Sequence, residues 1–167
     1  SLVSYGSGNK DYNNIAPVEV GKQVHVAFIW DGTSAKFYLD LVEYATTLSG
    51  LDTPTGTTVS IGSQPWSGGE KWVGSINEVS IFDTALTSSE VQELFNDGVA
   101  LDATAHSKSG NLVGYWRNDG ASTWTDRANT GVASFDGVDD VIDGSNTLSA
   151  YPVTLSSWFN TSNLASM

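Results

Sequence analysis

Apolar and polar positions alternate with period two through much of the chain. Val24 to Trp30 (VHVAFIW) is a run of β-branched, aromatic and apolar residues, and Asp31-Gly32 follows at once. Ala35 to Leu41 (AKFYLDL) then sets Phe37, Leu39 and Leu41 on one face and Lys36, Tyr38 and Asp40 on the other. Alternation on both sides of an Asp-Gly pair predicts a β-hairpin, because that pair tolerates the positive φ a tight turn needs. Further strands are predicted at Thr57 to Gly62, Val73 to Phe82, Asn111 to Arg117, Thr123 to Asp126, Val132 to Phe135, Asp140 to Asp143 and Val153 to Asn160. One segment has another period. Thr87-Ser88-Ser89-Glu90 is a capping box, Val91, Leu94 and Phe95 mark one helical face, and Gly98 is a stop signal. It predicts a single short helix from Ser88 to Asp97. Residues Ala100 to Gly110 read as an exposed loop. About eight to ten strands, one helix and many Gly, Asp and Asn turns predict an all-β fold, a two-sheet antiparallel jelly-roll sandwich.

Composition supports the pattern. The 167 residues suit one domain, and Gly, Ser, Thr, Asp, Asn and aromatics dominate over Lys, Arg and Glu. Nineteen acidic and seven basic residues give a net charge of −12, with no Lys/Arg cluster. Nucleic acid and an anionic membrane surface are therefore not expected partners. Cysteine is absent, so disulfides, thiolate nucleophiles and Cys-based zinc sites are excluded. No apolar run approaches the length of a membrane span. No basic stretch followed by an apolar run opens the chain, so if the domain is exported its signal is expected to lie outside this chain.

Four motifs resemble the laminin-G-like or concanavalin A-like lectin/glucanase jelly rolls. Val24-His25-Val26-Ala27-Phe28-Ile29-Trp30-Asp31-Gly32-Thr33, followed by Lys36-Phe37-Tyr38-Leu39-Asp40, is similar to that family's W-x-H-V-A-x-x-x-D-G-T … K-x-Y-V-D-G hairpin. The segment Gly74 to Thr87 (GSINEVSIFDTALT) is similar to its G-x-I-D-E-V-x-I-Y-x-x-A-L-S strand. Phe135 to Ile142 (FDGVDDVI) and Val153 to Asn160 (VTLSSWFN) resemble its two opening strands. Gln23 stands at the family's Trp position, and Leu41 replaces the Gly that closes its hairpin.

The order differs. The strands that open the family come last here. Either the domain is circularly permuted, or the chain is a slice across two tandem repeats. Permutation is the preferred reading: residues 1–167 form a single domain, with 132–167 supplying the strands that come first in the family. A half-sandwich at 132–167 would leave Val153, Leu155, Trp158 and Phe159 uncovered, with open strand edges. Folding back within the chain covers them. Exchange of strands between two copies does so equally, so a monomer or a strand-swapped dimer is expected.

Asp136, Asp139, Asp140 and Asp143 crowd one turn, and Glu78 lies on a strand that in the family runs near it. Calcium takes six to eight oxygens from carboxylates and carbonyls, so Asp136, Glu78 and Asp139 are candidate ligands of a structural Ca2+. The alternative is plain turn chemistry. Six Trp and six Tyr are many for this length. Trp rings stack on sugar faces, which makes Trp66, in the loop SQPWSGGE, and Trp72 beside it candidate ligand-binding residues. Tyr5, Tyr12 and Asn13, within or near the Asn-rich stretch 9–14, are further candidates. Trp30, Trp116 and Trp158 lie in strands and are expected in the core. His25 sits at a family strand position and is expected to be structural. The resemblance includes β-glucanases, but no strand here carries the two Glu that retaining hydrolysis needs about 5 Å apart. No catalytic residues are expected. The functional expectation is a non-catalytic module binding a glycan or cell-surface ligand, part of a larger extracellular or phage protein at the cell exterior or virion surface. A structural or adhesive module without a defined ligand is the alternative, and a glycoside hydrolase a more distant one.

Overall fold

The structure is a computed structural model. It describes residues 2–4, 10–12, 18–45, 58–59, 61–62, 72, 74–117, 123–126, 132–134, 144–145 and 152–161.

The predicted hairpin forms. Strand β3 (Gln23–Trp30) pairs antiparallel with β4 (Ala35–Leu39), Trp30 opposite Ala35. The turn is built by Asp31, whose carboxylate accepts the amides of Thr33 and Ser34, each at 2.7 Å. The strand predicted to reach Leu41 stops earlier. Asp40 and Leu41 form a two-residue turn into β5 (Val42–Ala45) with φ of 45° and 68°. Positive φ at both central residues matches the right-handed twist of the flanking strands. Leucine is an unusual choice there, and its side chain packs against the core, which offsets the backbone strain.

Strands β1 (Leu2–Ser4) and β2 (Lys10–Tyr12) pair with each other, and β6 (Thr58–Val59) pairs with β11 (Gly144–Ser145). The remaining strands are β7 (Gly74–Phe82), β8 (Leu112–Arg117), β9 (Thr123–Asp126), β10 (Val132–Ser134) and β12 (Val153–Thr161). They join β3, β4 and β5 in one antiparallel sheet of eight, in the order β10-β9-β8-β7-β12-β3-β4-β5. Strand β12 lies between β7 and β3, opposite Gln23–Trp30 along eight residues. The architecture is all-β with one short α-helix.

Both faces of this sheet are apolar. On one, Ala27, Ile29, Tyr38, Phe82 and Tyr115 pack with Leu86, Val91, Leu94 and Ala103. On the other, Ile61, Val79, Ile81 and Trp116 gather Ile76, Val113, Val153 and Leu155. The Trp116 ring lies over Gly114, where a Cβ would come within 2.6 Å of it. Trp30, Trp116 and Trp158 are buried as expected.

Helix α1 (Ser88–Phe95) begins at the predicted capping box: the Glu90 amide donates to Thr87 Oγ1 and the Thr87 amide donates to Glu90 Oε2. It ends two residues before the predicted Asp97, because Asn96 turns left-handed and Asp97 follows it. Residues 100–110 are not simply an exposed loop. They contain the 3-10 turn Ala103–Ala105, lead into Ser109–Asn111, and bury Ala103 and His106. One small apolar residue and one histidine carry that burial, too few to form a periodic signal.

One hydroxyl ties the segment before α1 to the sheet. Thr154 of β12 donates to the Thr84 carbonyl at 2.7 Å and accepts the Leu86 amide at 2.9 Å. Thr154→Val keeps the shape and strands both buried groups, so a loss of about 1–3 kcal/mol is expected. Thr87→Ala, which removes an exposed cap, is expected to cost about 1 kcal/mol. Urea unfolding of the two variants checks the ranking, which fails if Thr154→Val is the milder.

Candidate functional site

Along β7 and β12, Ser80 faces Ser156 while Asn77 faces Trp158. Three steps on β7 therefore match two on β12, so β7 carries one extra residue, a β-bulge. Glu78 lies at this bulge with a left-handed φ of 50°. Its amide is taken by the Asn77 side chain at 3.0 Å. The bulge reverses which residues face which side, so Ile76 shares a face with Val79 and Ile81 despite the odd spacing.

The strained residue is also a charged one, only 8% exposed. Its carboxylate accepts a hydrogen bond from the Tyr115 hydroxyl on neighbouring β8, and Arg117 Nε lies 3.2 Å from Oε1. Arg117 Nη1 reaches Asp102 Oδ2 at 2.8 Å. Asp102 in turn caps the turn at Ala103–Ala105, accepting from the Thr104 amide and hydroxyl. Burial, then the adjacent Glu78 carboxylate, push the Tyr115 phenol far up, so it stays protonated and donates. In this set one guanidinium bridges two carboxylates at one edge of the core, with Arg117 39% exposed. Among the described residues, the other carboxylate of the set, Asp102, is bridged to Glu78 through the Arg117 guanidinium.

The sequence singled out Glu78 but not Tyr115, Arg117 or Asp102. Arg117 stands out only as a cation closing an apolar strand in a chain with few cations. That it would meet Glu78 depends on which strand lies beside β7.

Glu78 is thus already paired with a guanidinium, and a calcium ion would have to displace Arg117 to use it. Asp136 and Asp139 lie outside the described residues. Among the described residues no group of three or more His, Asp or Glu is arranged to hold a metal ion.

Of the candidate ligand-binding residues, Tyr5, Asn13 and Trp66 lie outside the described residues, and Tyr12 is described only as part of the β2 backbone. Trp72 is half-buried. Its amide donates to the Gly62 carbonyl at 2.7 Å, and its ring stands edge-on to Phe159 of β12 at 4.9 Å. Trp72 therefore anchors the end of the segment that contains Trp66.

His25 is wholly buried. Its Nε2 is 2.7 Å from Ser156 Oγ, which brings a serine and a histidine together. The nearby Asp40 does not complete a catalytic triad: its Oδ1 accepts the His25 backbone amide, not the ring.

A distinctive ranking follows from the bulge. Glu78→Ala and Glu78→Gly both remove the carboxylate from Tyr115 and Arg117. Glycine takes the left-handed conformation freely and alanine does not, so the alanine variant is expected to be less stable by about 1 kcal/mol. Equal thermal stability of the two would mean that Glu78 does not hold this conformation in solution.

Comparison with known proteins agrees with this architecture. Residues 2–92, just over half the chain, match the family model Laminin_G_3, described as the Concanavalin A-like lectin/glucanases superfamily. No curated protein and no solved structure matches. With its eight-stranded antiparallel sheet, its one capped helix and this match, the chain belongs to the Concanavalin A-like lectin/glucanases superfamily.

Proposed function

We propose that this chain is a non-catalytic module that binds a carbohydrate or cell-surface ligand within a larger extracellular or phage protein. The observation that carries the reading is its membership of a superfamily of lectins and glucanases. Its non-catalytic half is supported by Glu78, the buried carboxylate of the described core, which is closed off by Tyr115 and Arg117. Retaining and inverting hydrolysis both need a second carboxyl group across the scissile bond.

In this reading Trp66 supplies the stacking surface, on a segment anchored by Trp72 against Phe159. Tyr5, Tyr12 and Asn13 add hydrogen bonds to hydroxyls. A net charge of −12 disfavours sulfated or uronic-acid polymers, so the ligand is a neutral glycan. A Ca2+ held by Asp136 and Asp139 is compatible with this role, and Glu78 joins it only by releasing Arg117. The eight-stranded sheet is completed within one domain, 132–167 supplying its β10 and β12 and also β11, which pairs with β6.

Electrophoresis through gels cast with a neutral β-glucan or a sulfated glycosaminoglycan tests the ligand class. Retardation is expected in the neutral gel alone, reduced at least tenfold in affinity by Trp66→Ala with an unchanged circular dichroism spectrum. No retardation in any neutral polysaccharide would favour a structural or adhesive module. Light scattering with and without EDTA checks the assembly. One chain mass in both conditions is expected; a doubled mass would mean exchange of β12 between copies.

A further inference from the structure

His25 sits where three elements meet. Its ring lies 5.1 Å from Trp158 of β12 and 5.9 Å from Phe95 at the end of α1, and those two rings stack on each other at 5.5 Å. Ser156 Oγ meets Nε2, and Nδ1 has no hydrogen-bond partner. A neutral imidazole accepts this site at small cost, since one ring nitrogen bonds Ser156 and the other need only be an empty acceptor. An imidazolium has two N–H donors and a charge, and among the described residues the pocket gives it one acceptor.

Among the described residues the groups facing the ring are few. From α1 it is Phe95, and from β12 Ser156 and Trp158, none of which titrates in this range. From the turn between β4 and β5 it is Asp40, whose Oδ1 bonds the His25 amide and whose Oδ2 lies 3.6 Å from Lys22 Nζ. Asp40 attracts a proton to the ring without touching it. The other buried histidine is the contrast. His106 Nδ1 accepts the Lys108 amide at 3.0 Å, and Nε2 donates to the Glu90 carbonyl at 3.0 Å with the Glu93 carboxylate 3.4 Å away. Both ring nitrogens of His106 are thus engaged, whereas among the described residues His25 Nδ1 has no partner.

We propose that His25 is an acid-operated latch: a proton on its ring drives Phe95 and the last turn of α1 off the sheet. Phe95 is the part that yields. Trp158 is on a strand paired on both sides, whereas Phe95 ends a helix at the left-handed residues Asn96 and Asp97. Opening lets water reach Nδ1 and loosens the contact between α1 and the β3–β12 pair.

The sign follows from burial. Desolvation lowers the His25 pKa from 6.5 to about 4, against the opposing pull of Asp40. The open form takes up its proton near 6.5 and the closed form only near 4, so acid favours opening throughout that interval. One proton raises the opening constant up to tenfold per pH unit, roughly 300-fold in all across it.

Hydrogen exchange of the intact chain, corrected for the intrinsic pH dependence, reads this directly. Amides at 92–98 are expected to open progressively faster as pH falls from 6.5, while those of β8 keep their protection. His25→Gln keeps a neutral donor for Ser156 and is expected to flatten the dependence at 92–98. Should that variant not fold, the imidazole resonances of the wild-type chain decide the matter, with His25 expected to titrate well below 6.5 in step with shifts at Phe95. The latch is overturned by pH-independent opening at 92–98, by an equal slope in the variant, or by a ring that titrates near 6.5 with Phe95 unmoved.

Discussion

Strand β12 is the constraint on which the rest of the sheet depends. It separates β7 from β3, so without it the other seven strands would fall into two groups with open edges. Each of its inward side chains also takes a partner from a different part of the chain. Thr154 holds the segment before α1, Ser156 meets His25 of β3, and Trp158 stacks on Phe95. Alternation along one strand thus organises the helix, the hairpin and the core at once.

The helix-facing side of that sheet buries polar groups among its apolar ones. Glu78, His25, Ser80, His106, Thr154 and Ser156 are all buried there or beside it. Buried polar groups persist where partners are supplied, and two of these differ in how that is done. Glu78 is placed by a bulge against a phenol and a guanidinium, which together satisfy a charged carboxylate. His25 receives one hydroxyl for two nitrogens, which suits only the neutral ring. The first arrangement holds a charge in place; the second keeps one out.

These arrangements bear on function by what they occupy. In the superfamily to which the chain belongs, a glucanase needs a pair of carboxyl groups free to trade a proton. Glu78 is instead held by donors that do not release one near neutral pH. That arrangement supports the proposed reading of the chain as a binding module.

Much of this was legible along the chain. The β3–β4 hairpin followed from alternation around Asp31-Gly32, and α1 from a capping box with apolar residues at helical spacing, because both signals are local. The burial of Trp30, Trp116 and Trp158 followed from their strand positions. The bulge at Glu78 did not: its register is set by β12, some eighty residues away, and nothing in the local sequence marks a glutamate for positive φ. Nor did the union of Glu78 with Tyr115, Arg117 and Asp102, or of His25 with Ser156 and Phe95. Local sequence determined which segments are strands and where the helix begins, since propensity and capping act over a few residues. Only tertiary structure decided which strands are neighbours, and hence which charged and titratable groups share a site, because pairing is chosen by the burial of the whole sheet.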